Sequence, residues 1–248
     1  MTMIPVISAW LDRARDEPDP VERSRRFARC AMYWALAGDG TRSRETIREL
    51  RAAPAALADP ELAAWIWLVE GLWDLGTSQS EPSLDRFRRA HALASCLEGR
   101  EIAPLSAAWL AHVEFNFGDP GRFCALAAQA LQACTPATTA ALARVAVSLG
   151  DAYQYGDDEG AAKAWYAHAR RAAESLKDTT TLASAAHNMA SVAVRPLRLN
   201  RRLGTAMPAL ATIASTLSES SRNLDELAGI RFLPHYEPWI RLQLAMAE

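Results

Sequence analysis

Lysine is nearly missing from this chain: of 27 basic residues only Lys163 and Lys177 are lysine, and the rest are arginine. With so much alanine beside it, this reads as the codon bias of a GC-rich bacterial genome rather than a phosphate-binding device. Net charge is missing too. The 27 basic residues face 29 acidic ones, so the balance of −2 draws the chain onto neither nucleic acid nor an anionic membrane. Cys30, Cys96, Cys124 and Cys134 include no close pair, which excludes zinc and redox spacings; they sit in apolar runs and are expected as buried, reduced thiols. No apolar run is long enough to span a bilayer. Ile4–Leu11 is too short, and the acidic stretch Asp12–Asp19 follows it instead of a small-residue cleavage site, so the expected location is the cytoplasm. There is no Gly-rich phosphate loop, no His-Glu-x-x-His pattern, no nucleophile elbow and no cysteine near a base. The chain therefore reads as a non-enzyme, with no catalytic residue, no cofactor and no metal site; His112 and His187 stand isolated. No stretch alternates with period two, so no sheet is expected.

What is present is punctuation. Gly38-Asp39, Leu75-Gly76, Gly118-Asp119 and Gly156-Asp157 recur at spacings of 38, 42 and 38 residues, each ending an apolar helical stretch. Asp19-Pro20, Asp59-Pro60, Asp119-Pro120 and Thr135-Pro136 each supply a side-chain acceptor at an N-cap and a proline in the first turn. Together they predict helix pairs of 20–37 with 41–52, 60–75 with 82–97, 101–117 with 120–133, 137–155 with 158–176, and 180–194 with 197–217. A period near 40 is the signature of stacked helical repeats, in which each pair buries its apolar face on the next. Half of the residues are apolar, enough for a substantial core. The expected organisation is an N-terminal helix or arm over 1–19, repeats over 20–217, and a broken capping helix over 218–248. Pro208 should kink the last pair, and Pro234 and Pro238 should break the cap.

In the fourth unit, Leu149-Gly150-x-x-Tyr153 followed by Ala162-x-x-x-Tyr166-x-x-Ala169 resembles the tetratricopeptide repeat. Weaker matches to its small-residue slot are Ala31, Val69, Ala111 and Ala190, and Leu84, Phe87 and Ala90 repeat its second-helix pattern. The resemblance covers about residues 20–195. The 40-residue spacing is more similar to the longer repeats of kinesin light chains and bacterial peptide-sensing regulators. The fold so implied is all-α: a right-handed solenoid of antiparallel pairs, about five repeats plus the cap.

The resemblance also implies that first helices line a concave groove. The residues expected there are Arg25 and Met32, Glu70 and Trp73, His112, Phe115 and Asn116, Arg144, Asp151, Gln154 and Tyr155, and His187, Asn188, Ser191 and Arg195. Trp73, Phe115 and Tyr155 would anchor an extended peptide or partner helix while the charges set its register. Asn188 resembles the asparagine with which long peptide-binding repeats hold a ligand backbone. The arginine clusters at 23–29, 86–89 and 195–202 read as solvated faces and ion pairs, with no nucleic-acid partner. The apolar helix over Glu237–Glu248 runs to the end without a stop signal. It suggests an effector domain beyond residue 248, or docking on a second copy of the chain. The main expectation is a protein- or peptide-binding regulatory scaffold; the rival is a sensory domain that closes over a small molecule and controls an attached output domain.

Overall fold

The computed structural model describes residues 4–52, 58–77, 80–97, 99–136 and 138–203. These form ten α-helices and no strand: α1 (Ile4–Arg15), α2 (Pro20–Leu36), α3 (Gly40–Ala52), α4 (Pro60–Gly76), α5 (Ser80–Ala94), α6 (Ile102–Phe117), α7 (Pro120–Ala133), α8 (Thr139–Tyr155), α9 (Glu159–Leu176) and α10 (Thr179–Leu203). The chain divides into two compact units, with the boundary between Val145 and Ala146 inside α8. Among the described residues no helix is long and apolar enough to cross a membrane.

Aspartate starts most of these helices. Asp19 accepts from the Val21 N–H, Asp59 from Leu62, Asp119 from Gly121 and Arg122, and in each case proline follows at the first helical position. Asp39, Asp158 and Asp178 cap α3, α9 and α10 without proline. Three of these caps follow directly on a left-handed residue that ends the helix before. Gly38 (φ 74°), Asp157 (φ 63°) and Lys177 (φ 56°) each turn the chain so that the next amide bonds a carbonyl of the preceding helix. Those bonds are Asp39 N–H to Trp34 O at 2.9 Å, Asp158 to Tyr153 at 3.0 Å and Asp178 to Ala173 at 2.9 Å. One helix stops and the next starts with two or three residues between them. In the fourth pair it is Asp157, not Gly156, that takes the left-handed conformation.

In the unit of residues 2–145, helices fall into two kinds. α4 and α6 are apolar nearly all round and are buried all round, whereas α3 and α7 bury one stripe each, Ser43, Ile47 and Leu50 in α3 and Phe123, Ala127 and Ala130 in α7. α2 packs on α4 and α4 on α6, while each also packs on the helix that follows it; α1 lies against α2. The first two pairs repeat at an offset of 40: Asp19 and Asp59 cap, Ala31 and Gly71 hold the close approach, and Ser43 and Ser83 donate to the carbonyls of Ala31 and Gly71 at 2.8 and 3.1 Å. A Cβ on Gly71 would lie 3.1 Å from the Phe87 ring. The small-residue slot of the second pair is therefore Gly71, two positions beyond the expected Val69.

In the unit beginning at Ala146, Gly150 meets the ring of Tyr166 so closely that any side chain would enter it. Ala146, Val147, Ala169 and Ala185 form one apolar cluster with Trp165 against it, and Ala162, Tyr166 and Val192 form another with Met189.

Several expectations are corrected. Thr135 does not start a helix: α8 begins at Thr139, and the Thr135 N–H donates to Thr138 Oγ1 at 2.6 Å in the turn before it. The expected break between 194 and 197 is absent, because α10 runs through Pro196 to Leu203. The proline forfeits one N–H rung, and the helix continues on either side of it. All four thiols are free, but Cys30 alone is buried; Cys96 and Cys124 are exposed and Cys134 is half-buried. Pro208, the 218–248 cap and the helix from Glu237 lie outside the described residues.

Candidate functional site

Several of the residues expected on the groove are engaged within their own unit. At the N-terminal ends of α2, α4 and α6 an ion-pair network forms. Arg25 donates two parallel hydrogen bonds to Asp59 at 2.9 Å each, with Glu61 at 3.2 Å and Glu22 at 3.5 Å. Asp59 thus holds a helix start and a guanidinium at once, and the Arg25 bond keeps its carboxyl below the usual carboxylate range. Arg29 reaches Glu101 at 2.9 Å, and Arg100 stands 3.6 Å from Glu61. Burial pushes the Glu101 carboxyl up, with Arg29 pulling the other way.

Glu70 and Trp73 turn toward α3 and α5. Glu70 is buried and accepts from Arg51 and Arg86, each at 2.8 Å. Trp73 is half-buried and donates its indole N–H to Ser43 Oγ at 2.9 Å. The Trp67 ring takes two guanidinium groups, those of Arg51 and Arg89, 5.6 and 4.9 Å from its centroid. Buried charge on α4 is therefore matched from the helices on either side, which is what keeps it tolerable away from water.

On α6, His112 lies edge-on to Trp109, which stacks on Phe87 with ring centroids 5.9 Å apart. The guanidinium of Arg144, only 6% exposed, covers Trp109 at 3.8 Å. Burial first and the Arg144 charge second lower the His112 pKa to about 3, so the ring is neutral at physiological pH. Phe115 is half-buried against Phe123 at 5.1 Å. Asn116 donates to the His112 carbonyl at 2.7 Å. Met32 is buried.

In the second unit the polar groups converge on Asp151. Its Oδ1 lies 2.7 Å from both the Tyr166 hydroxyl and Asn188 Nδ2, and Gln154 Oε1 is also 2.7 Å from that hydroxyl. The hydroxyl has one hydrogen, and the carboxylate is the stronger acceptor for it. Burial, then the Asp151 charge, holds Tyr166 protonated far above the ordinary tyrosine range. Asn188, expected to hold a ligand backbone, spends a donor on this cluster. His187 is half-buried, with its pKa lowered by burial, and Ser191 donates to its carbonyl at 3.0 Å. Arg195 lies on α10.

Exposed aromatics occupy helix ends. Among the described residues the large apolar side chains left in solvent are Tyr155 at 79%, Phe117 at 54% and Tyr153 at 41%. Phe117 and Tyr155 are the last residues of α6 and α8. Of the three expected anchors, Tyr155 is the one that is exposed.

Sequence reasoning passed over Glu61, Glu101 and Trp67. Glu61 sits in a capping turn and reads as a helix-dipole residue, and nothing local marks Glu101 or Trp67; their partners lie on other helices. Among the described residues no three His, Cys, Asp or Glu side chains converge to hold a metal ion. No protein-family model, no curated protein and no solved structure matches the chain.

Proposed function

We propose that the chain is a tetratricopeptide-like helical-repeat module, a right-handed solenoid, that binds a protein or peptide segment and serves a regulatory role in a bacterial cytoplasm. The observation that carries this reading is the exposed aromatic end of α8, where Tyr153 and Tyr155 project from a helix whose earlier turns are buried. Rigid, amphipathic rings held on a packed scaffold are the usual anchors of a protein interface. The 40-residue recurrence of cap, close-approach and carbonyl-bonding residues supports the repeat architecture. Partner contact is assigned to Tyr155 and its neighbours at the helix ends, since Glu70, Trp73 and Arg144 are already engaged within the fold.

The test is selection of a displayed random-peptide library on the intact protein. Enriched peptides should bind saturably, with affinity reduced at least about tenfold by Tyr155→Ala, a change of about 1.4 kcal/mol. The melting temperature should not move. Absence of enrichment, or peptides indifferent to Tyr155→Ala and Tyr153→Ala, would overturn the proposal.

The rival reading, a small-molecule sensor, draws on a different observation: α4 and α6 are covered on all sides, and a cavity opens elsewhere, between α1 and α2.

A further inference from the structure

That cavity has a volume of about 360 Å³ and is lined by Trp10, Arg13, Glu22, Arg26, Arg29 and Cys30. It falls at the lower end of the roughly 300–1,000 Å³ typical of small-molecule sites. Three arginines and one glutamate are among its lining residues. Arg26 is held by Glu17 at 2.6 Å and Glu22 at 3.5 Å, and Arg29 by Glu101 at 2.9 Å. Each carboxylate uses part of a donor fork and fixes the rest in place. Arg13 differs. It is exposed at the rim and has no acidic partner among the described residues. Trp10 is steadied by Tyr33, ring centroids 4.8 Å apart and planes at 57°. The Cys30 thiol is pushed up to about 11 by burial, so it adds neither charge nor a nucleophile.

We propose that this cavity binds a small phosphate monoester, its phosphate among Arg13, Arg26 and Arg29 and its planar or apolar body against the face of Trp10. Charge and shape select this class. Arg26 and Arg29 keep N–H donors beyond those spent on Glu17, Glu22 and Glu101, and a phosphate offers three terminal oxygens to three planar donor forks where a carboxylate offers two. Glu22 at the wall repels a further acidic group and accepts from a hydroxyl or amine on the ligand. The volume admits one ring with its phosphate and excludes a folded partner element. The site lies on α1 and α2 and includes neither Tyr153 nor Tyr155, so its fate is independent of the peptide-binding proposal.

The experiment is isothermal titration calorimetry of the full chain with phenyl phosphate, inorganic phosphate and phenylacetate at matched ionic strength. Phenyl phosphate should bind saturably, inorganic phosphate more weakly for want of the ring, and phenylacetate weakest. Arg13→Ala should weaken phenyl phosphate about tenfold, as loss of one charge-assisted contact does. Its melting curve should match wild type, because Arg13 is exposed and holds no other residue among those described. Arg13→Lys, which keeps the charge and loses the fork, should fall between the two. No saturable heat with phenyl phosphate, equal affinity for phenylacetate, or equal affinity in wild type and Arg13→Ala would each overturn the proposal.

Discussion

Gly71 and Gly150 occupy the same place against a ring sixteen positions later, yet they should respond differently to an added methyl. At Gly150 the new Cβ would enter the Tyr166 ring, and that ring cannot step aside: it is fully buried and its hydroxyl is bonded to Asp151. Gly150→Ala should therefore cost about 1–3 kcal/mol through overpacking, read as a lower urea midpoint. At Gly71 the nearest Phe87 atoms are 3.1 Å away, a few tenths too close. The gain of about 1 kcal/mol in helix propensity should offset that strain and leave Gly71→Ala near wild type. His112 supplies a second residue-scale prediction. Its pKa is about 3 in the fold against an ordinary 6.5, so between those values the unfolded chain binds the extra proton. Stability is full above pH 6.5 and falls as pH drops, by up to about 1.4 kcal/mol per pH unit for one histidine. His91 and His187, lowered by burial, act in the same direction; Glu101, raised, acts the other way nearer its ordinary 4.5, and Asp59 acts below 3.8. In urea melts at pH 7.5, 6.5 and 5.5, His112→Gln should remove about one proton's share of the slope. An unchanged slope would mean that His112 is charged in the fold.

Helix boundaries were the most legible feature, because a cap is a local bond. Asp19-Pro20, Asp59-Pro60 and Asp119-Pro120 begin helices as their chemistry requires, since acceptor, donor and proline all lie within four residues. Thr135-Pro136 has the same look, but α8 begins only at Thr139, with the Thr135 N–H bonded to Thr138 Oγ1 in the turn before it. Pro196 fails in the other direction, since α10 carries on despite one missing rung. The slot residue Val69 was misplaced by two positions for a similar reason: α4 is apolar nearly all round, so its periodicity marks no face, and only the contact with Phe87 identifies Gly71. The connectors carry an element-scale prediction. Lys177 holds φ 56° with a side chain that disfavours it, so Lys177→Gly should raise stability by about 0.5–1 kcal/mol. Asp178, next to it, is buried and takes the N–H groups of Thr180 and Thr181 and the Thr181 hydroxyl. Asp178→Ala should cost about 2 kcal/mol, more than loss of the solvent-facing Asp19 cap. Thermal melts of the three variants decide both points, and equal losses for the two aspartates would show that burial adds nothing to capping here.

At the scale of the whole molecule, the all-helical class follows from the sequence and the site does not, because class depends on periodicity within an element and a site on which elements meet. Arg51, Glu70 and Arg86 are 19 and 16 residues apart and join only because α3 and α5 both flank α4. The arginine cluster at 86–89 reads in one dimension as a solvated face with ion pairs; in three, Arg86 and Arg88 are charges that let α4 and α6 carry Glu70 and Glu114 inside the fold, each at 2.8 Å. This two-kind arrangement makes a prediction about local stability. Amides of α4 and α6, with apolar side chains on every side, can exchange with solvent only when their unit opens as a whole. α3 and α7 each bury one stripe and leave the opposite side in water, so they can open by a smaller excursion. Native-state hydrogen exchange of the intact chain should therefore give the slowest amides in Leu62–Leu72 and Leu105–Val113, near the global unfolding free energy, and faster ones in α3 and α7. Equal protection in α3 and α4 would mean that the unit opens in one step, with no distinction between its inner and outer helices.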